Sequence, residues 1–174
     1  MITLVIGGSA SGKSLYAEQL VCSMPGPRVY LATMEPFGEA GAARIAKHRA
    51  MREGKGFQTM ECTKALEIQQ IDAAGCNVLL EDLPNLVANE LFGEAGASTE
   101  ETYAKVMNAL DVLGSKANHL VIVTGDLASD GCRYGEETLQ YLQLLGRLQN
   151  AVANRADAMY EVVAGIPIVW KERE

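Results

Sequence analysis

The chain has 174 residues, 48% of them hydrophobic and 21% charged, with a net charge of −7. That length fits one domain, residues 1–174, able to bury about 70% of its unfolded surface, and that composition excludes extensive disorder. The acidic balance argues against a nucleic-acid partner, which would demand a basic face, and no run of about 18 apolar residues is present to span a membrane.

In chain order, short apolar runs alternate with amphipathic segments of helical length. Strands are predicted at 2–6, 28–32, 57–61, 77–81, 120–124, 159–163 and 168–170, and helices at 13–22, 39–52, 83–92, 99–115 and 136–155. This alternation is the pattern of βα units closing into a mostly parallel sheet with helices on both faces. Continuously apolar stretches such as Val78-Leu79-Leu80 and Leu120-Val121-Ile122-Val123 fit strands covered on both sides. No internal repeat or low-complexity tract divides the chain. The scattered Cys22, Cys62, Cys76 and Cys132 form no C-x-x-C pair. Reduced thiols in a soluble cytoplasmic protein are therefore expected.

The most specific stretch is Gly7-Gly8-Ser9-Ala10-Ser11-Gly12-Lys13-Ser14, a complete G-x-x-x-x-G-K-[ST] loop between the first strand and the first helix. A glycine-rich turn lets backbone N–H groups approach a β-phosphate closely. Lys13 would reach the β/γ oxygens and the Ser14 hydroxyl could ligate Mg²⁺. The positive end of the helix dipole adds to the same site. The expected ligand is a nucleoside triphosphate, GTP or ATP; base-selecting contacts lie outside the loop.

In open α/β sheets ligands bind beyond the carboxyl ends of the strands. Glu81-Asp82 closes the apolar run from Asn77. Glu81 is the first choice for a second Mg²⁺-handling position, with Asp82 the alternative, although Asp82 also suits an N-cap of the next helix. Asp126 follows the fifth strand and could contact nucleotide or simply make a turn. His48 sits in a run of cations, Arg44, Lys47, Arg49 and Arg52. Such a run is usually a solvated helix face, yet a histidine in it can act as a nucleophile toward phosphorus. His119, at the start of a strand, has no such company.

Taken in order, these residues resemble the bifunctional adenosylcobinamide kinase/adenosylcobinamide-phosphate guanylyltransferase family of cobalamin biosynthesis. The pieces are Val5 to Ser14, Tyr16-Ala17-Glu18, Tyr30-Leu31-Ala32-Thr33, Arg44-Ile45-x-x-His48-Arg49-x-x-Arg52, Phe57-x-Thr59-x-Glu61, Leu79-Leu80-Glu81, Asn89-Glu90-Leu91-Phe92, Gly146-Arg147 and Gly165-Ile166-Pro167. Only the loop is specific alone; the order is what carries the resemblance. It implies a phosphate-loop NTPase fold of the RecA-like kind and a homotrimer. It also implies two reactions: phosphorylation of adenosylcobinamide, and GMP transfer from GTP through a guanylyl-histidine intermediate to give adenosylcobinamide-GDP. By motif position the histidine is His48, with Arg49, Glu61 and Glu81 as nucleotide-contacting residues and Asp126 in the place of a catalytic acid.

Departures from the family pattern include 125–134, where Gly125-Asp126-Leu127-Ala128 replaces the family's Asn-Glu-Val-Gly, Glu53 in place of a proline, Phe57 in place of a tryptophan, and displaced amides in Gly146-Arg147-Leu148-Gln149-Asn150. From the residues, two other readings stay open: a single-activity small-molecule kinase, and a GTP-binding regulatory or scaffold protein without turnover.

Overall fold

The computed structural model describes residues 1–35, 41, 45–46, 49–50, 52–93, 97–127 and 134–172. Seven strands form one sheet: β1 (Ile2–Gly7), β2 (Arg28–Ala32), β3 (Phe57–Glu61), β4 (Asn77–Glu81), β5 (His119–Gly125), β6 (Ala158–Val163) and β7 (Ile166–Glu172). Their order is β3-β2-β4-β5-β1-β6-β7. The pairings from β3 through β6 are parallel, and β7 returns antiparallel to β6 at the edge. Five described helices accompany them: α1 (Lys13–Cys22), α2 (Ala65–Gln69), α3 (Leu83–Leu91), α4 (Thr99–Lys116) and α5 (Glu136–Arg155).

Strand side chains alternate between faces, and the core is accordingly split. Leu4, Leu31, Val78, Leu80, Leu120 and Ile122 pack with buried residues of α2 to α5, including Ile68, Leu86, Leu110 and Leu148. Val5, Tyr30, Leu79, Val121, Val123 and Val162 pack on the opposite face with Ala17 and Val21 of α1. The expected α/β architecture with helices on both faces is therefore present. Every residue of the central strands β4 and β5 is buried, which explains their unbroken apolar spelling.

Local signals set the helix starts. Ser98 accepts from the Glu101 N–H while Glu101 Oε2 accepts from the Ser98 N–H at 2.9 Å, a reciprocal cap at the head of α4. Asp82 caps α3 by accepting from the Asn85 N–H at 2.9 Å, with Pro84 in the first turn.

Several expectations need correction. Helix α2 was not predicted, because five residues are too few for a helical repeat to show. The last strand is longer than 168–170, since Pro167 is accommodated on a sheet edge. β5 extends one residue each way, to His119 and Gly125. Of the helix expected at 39–52, residues 41, 45–46, 49–50 and 52 are helical; the others, His48 among them, lie outside the described residues, as do 128–133 of the divergent loop.

Candidate functional site

The loop between β1 and α1 is built on restricted backbone. Gly12 precedes α1 at φ 93° and Ala10 lies at φ 57°, both left-handed. The Ser11 N–H donates to the Gly8 carbonyl at 3.3 Å, and the Tyr16 N–H donates to Gly12 at 3.0 Å, starting the helix. Lys13 folds back over the turn, its Nζ donating to the Gly8 carbonyl at 3.0 Å. The β6–β7 turn braces the loop from the other side, with the Gly165 N–H donating to the Ser11 carbonyl at 2.8 Å. A side chain on Gly12 would meet the Gly165 Cα at 3.1 Å.

Sheet order brings the other parts to this loop. β5 runs beside β1 in register, Gly7 opposite Gly125, and β4 lies on the far side of β5. The Asp126 N–H donates to the Gly7 carbonyl at 3.2 Å, so the exposed Asp126 stands at the mouth of the loop. Glu81 reaches in from the end of β4 and accepts a hydrogen bond from the Ser14 hydroxyl. Of the two acids weighed at this position, Glu81 faces the loop and Asp82 caps α3.

Glu81 is only 7% exposed, and its second oxygen, Oε2, is buried without a hydrogen-bond partner among the described residues. Burial pushes its carboxyl up to about 8; the Ser14 hydrogen bond pulls it down, Asp82 and Glu18 push it up, and Lys13 pulls it down. A nearby cation would restore the carboxylate form. Ser14 Oγ and Glu81 are hard oxygen ligands of the kind Mg²⁺ takes from a protein in nucleotide sites. The residues present therefore fit that ion.

A second region lies along β3. An open cavity of about 930 Å³ is lined by Arg49, Arg52, Gly54, Gly56, Phe57, Thr59 and Glu61, with no phosphate-loop residue among its walls. Arg49 and Glu61, named from the resemblance, are brought together here as an ion pair between exposed side chains. Arg52 is 7% exposed, its guanidinium 3.7 Å from the centroid of the Tyr30 ring. Burial pushes the Tyr30 phenol far above its ordinary range, Glu81 and Glu18 add to the rise, and Arg52 partly offsets it.

The sequence gives Glu18 no role beyond its place in the Tyr16-Ala17-Glu18 match. It is fully buried in α1, one helical turn beyond Ser14, and accepts from Lys55 Nζ at 2.5 Å. A buried charge announces itself only through its partner, and Lys55 is 37 positions away. His119 is buried far from the loop, at the start of β5, within 2.7 Å of the Thr3 hydroxyl. No helix among the described residues is long and apolar enough to cross a membrane.

Comparison with known proteins identifies the family. A family model described as cobinamide kinase / cobinamide phosphate guanyltransferase matches residues 3–170. The bifunctional adenosylcobalamin biosynthesis protein CobU of Salmonella typhimurium is 30% identical, over 98% of this chain and 100% of that protein. The corresponding CobP of Pseudomonas aeruginosa is 28% identical over 98% of each chain. Among solved structures, a protein of Pyrococcus horikoshii OT3 superposes with a TM-score of 0.58 at 11% identity, covering 99% of this chain and 87% of that one. An ATPase of the type III secretion system of pathogenic bacteria superposes with a TM-score of 0.59 at 12% identity, covering 92% of this chain and 50% of that one. At such identities these two speak to the fold alone. The chain belongs to the cobinamide kinase / cobinamide phosphate guanyltransferase family.

Proposed function

We propose that this protein is a transferase of cobalamin biosynthesis that carries out both reactions of its family name on adenosylcobinamide. The observation that carries this reading is the coupling of Ser14 to Glu81, whose buried Oε2 is left to a cation at the head of a complete phosphate loop.

In the kinase reaction the loop from Gly7 to Ser14 cradles the triphosphate, and Lys13 swings from the Gly8 carbonyl onto the β/γ oxygens. Ser14 and Glu81 would hold Mg²⁺, which when bound neutralises charge on the phosphates. Asp126, at the loop mouth, is assigned to orient the acceptor hydroxyl. In the second reaction an imidazole nitrogen of His48 attacks the α-phosphorus of GTP. The N–P bond forms as the bond to the bridging oxygen breaks, and pyrophosphate leaves. Phosphate oxygen of adenosylcobinamide phosphate then attacks the same phosphorus and frees the histidine, giving adenosylcobinamide-GDP. Arg49, Arg52 and Glu61 around the β3 cavity are assigned to the nucleotide during this step.

We assign the whole chain to one catalytic domain and expect a homotrimer, with the exposed apolar residues of β7 as the contact surface. Mass spectrometry of the intact protein after incubation with GTP and Mg²⁺ tests the central step. A covalent GMP adduct that disappears in His48→Ala is expected; an adduct undiminished in that variant overturns the assignment.

A further inference from the structure

The segment that ends at Lys55 is fastened to the sheet and to α1 at three points. The Lys55 ammonium meets Oε2 of Glu18, a carboxylate with no solvent exposure, at 2.5 Å. The Arg52 guanidinium lies over Tyr30 of β2. Arg28 bridges backbone on both sides, donating from Nη1 to the Lys55 carbonyl at 3.0 Å and from Nη2 to the Cys22 carbonyl, at the end of α1, at 2.9 Å. Between the first two anchors the chain turns through Gly54 at φ 76°.

As a stability device the Glu18–Lys55 pair is poor. Burying a carboxylate costs more than most ion pairs return, and apolar replacements of both partners are often neutral or stabilising. Glu18 moreover leaves its other oxygen, Oε1, buried and unpartnered among the described residues. What the pair does supply is a directional link between two particular elements. Glu18 lies on the helix that presents Lys13 and Ser14 to the phosphates, and Lys55 closes the segment whose sequence includes His48, Arg49 and Arg52.

We infer that Glu18, acting through Lys55, is a positioning residue for guanylyl transfer, anchoring the histidine-bearing segment to the helix that grips the triphosphate. This rests on the assignment of His48 made above. Attack on the α-phosphorus requires nitrogen and phosphorus to meet at about 3–3.5 Å, and an error of about 1 Å can cost ~10²-fold. In the assignment above, phosphoryl transfer draws on the loop, Glu81 and Asp126 and only guanylyl transfer on His48, so the two activities should separate.

The test compares single-turnover formation of the GMP adduct with ATP-dependent phosphorylation of adenosylcobinamide, each alongside thermal melts. The proteins are wild type, Lys55→Met, Lys55→Arg and the double variant Glu18→Met/Lys55→Met. Expected in Lys55→Met and the double variant is adduct formation slowed ~10-fold or more, with phosphorylation within ~3-fold of wild type. The double variant should melt no lower than Lys55→Met, and Lys55→Arg should recover most of the adduct rate. Wild-type adduct rates in the double variant, or both activities falling in step with the melting temperature, overturn the positioning role while leaving His48 standing. Absence of any adduct in wild type overturns the His48 assignment and this inference with it.

Discussion

Ser14, at the head of the phosphate-loop helix, donates its hydroxyl to Oε1 of Glu81, the last residue of β4. Two elements 67 positions apart are thereby closed over one another at the carboxyl edge of the sheet. Glu81→Gln keeps an oxygen for Ser14 to donate to but removes the negative charge, whereas Glu81→Ala removes both. If Glu81 acts through charge on a bound cation, both variants should lose about 10²-fold in kcat for phosphoryl transfer, or roughly 2.7 kcal/mol, with KM for nucleotide changing far less. Initial rates across a Mg²⁺ titration decide this. A Gln variant with wild-type kcat would reduce Glu81 to a scaffold for Ser14.

The same carboxyl gives the ligand-free protein a pH-dependent stability of known sign. In the folded state it is pushed up to about 8 from an ordinary 4.5, chiefly by burial. Between those values the folded chain holds more protons than the unfolded one, so stability falls as pH rises across that window. Melts without nucleotide or divalent ions at pH 5.5 and 8 should show wild type losing stability at the higher pH relative to Glu81→Gln. A difference between the two proteins that is independent of pH would show the carboxyl titrating normally.

His119 works in the opposite direction at the other edge of the sheet. Burial lowers its affinity for a proton, the N-terminal ammonium lowers it further, and Asp157 partly offsets both. The folded value lies below the ordinary 6.5, so its contribution is intact above about 6.5 and is lost as pH falls through the folded value. Its ring sits 2.7 Å from Thr3 Oγ1, beside the Asp157 carboxylate that accepts from the Ile2 N–H at 2.8 Å. Protonation would therefore loosen the start of β1. His119→Gln should flatten the acid limb of the melting curve between pH 7 and 5.5. An acid limb as steep as that of wild type would exclude His119 as its source.

These two acid–base signals differ in how legible they were. Glu81 could be picked out because a carboxylate ending an apolar strand is conspicuous and the parallel-sheet rule says where such residues point. Its neighbour Asp82 was separable only once the hydrogen bond to Asn85 was seen. The phosphate loop is spelled locally, so it was read outright, and the βα alternation gave the sheet. Glu18 with Lys55 and Arg52 with Tyr30 were not readable. Each pair joins residues distant in sequence, and neither a buried glutamate in a helix nor a cation in a basic run signals its partner. The role of His48 came from resemblance, since charge runs alone favour a solvated face. β7 was underestimated because a proline in an exposed apolar run reads as an interruption until the strand is known to be an edge.

Two adjacent glycines of the phosphate loop carry different loads. A methyl group on Gly7 would stand 2.5 Å from Ser11 Oγ and 2.7 Å from the Val162 carbonyl oxygen, and the carbonyl belongs to β6 backbone that cannot rotate away. One on Gly8 meets nothing within 4 Å. Gly7→Ala should therefore cost about 1–3 kcal/mol, a drop of roughly 2–12 °C in melting temperature for a chain of this size. Gly8→Ala should stay within about 0.5 kcal/mol of wild type. Differential scanning calorimetry separates them; equal melting temperatures would mean that the loop relaxes away from β6 at little cost.

The sheet ends on a strand that none of the described residues covers. Ile166, Ile168, Val169 and Trp170 are all large, apolar and exposed, Trp170 at 64%, and they sit on the antiparallel edge next to the turn that braces Ser11. A long apolar edge is an invitation to pair with another chain, and contiguous apolar surface of this kind marks contact sites in soluble proteins. Trp170 also donates from Nε1 to Glu161 at 3.0 Å, which fixes its ring against β6 rather than leaving it loose. Placing a carboxylate there would repel Glu161 and set unpaired charge into a desolvated contact, a cost of several kcal/mol per interface. Wild type should sediment as a trimer and Trp170→Glu as a monomer with an unchanged circular dichroism spectrum. If the variant sediments with wild type, the subunits meet through some other surface.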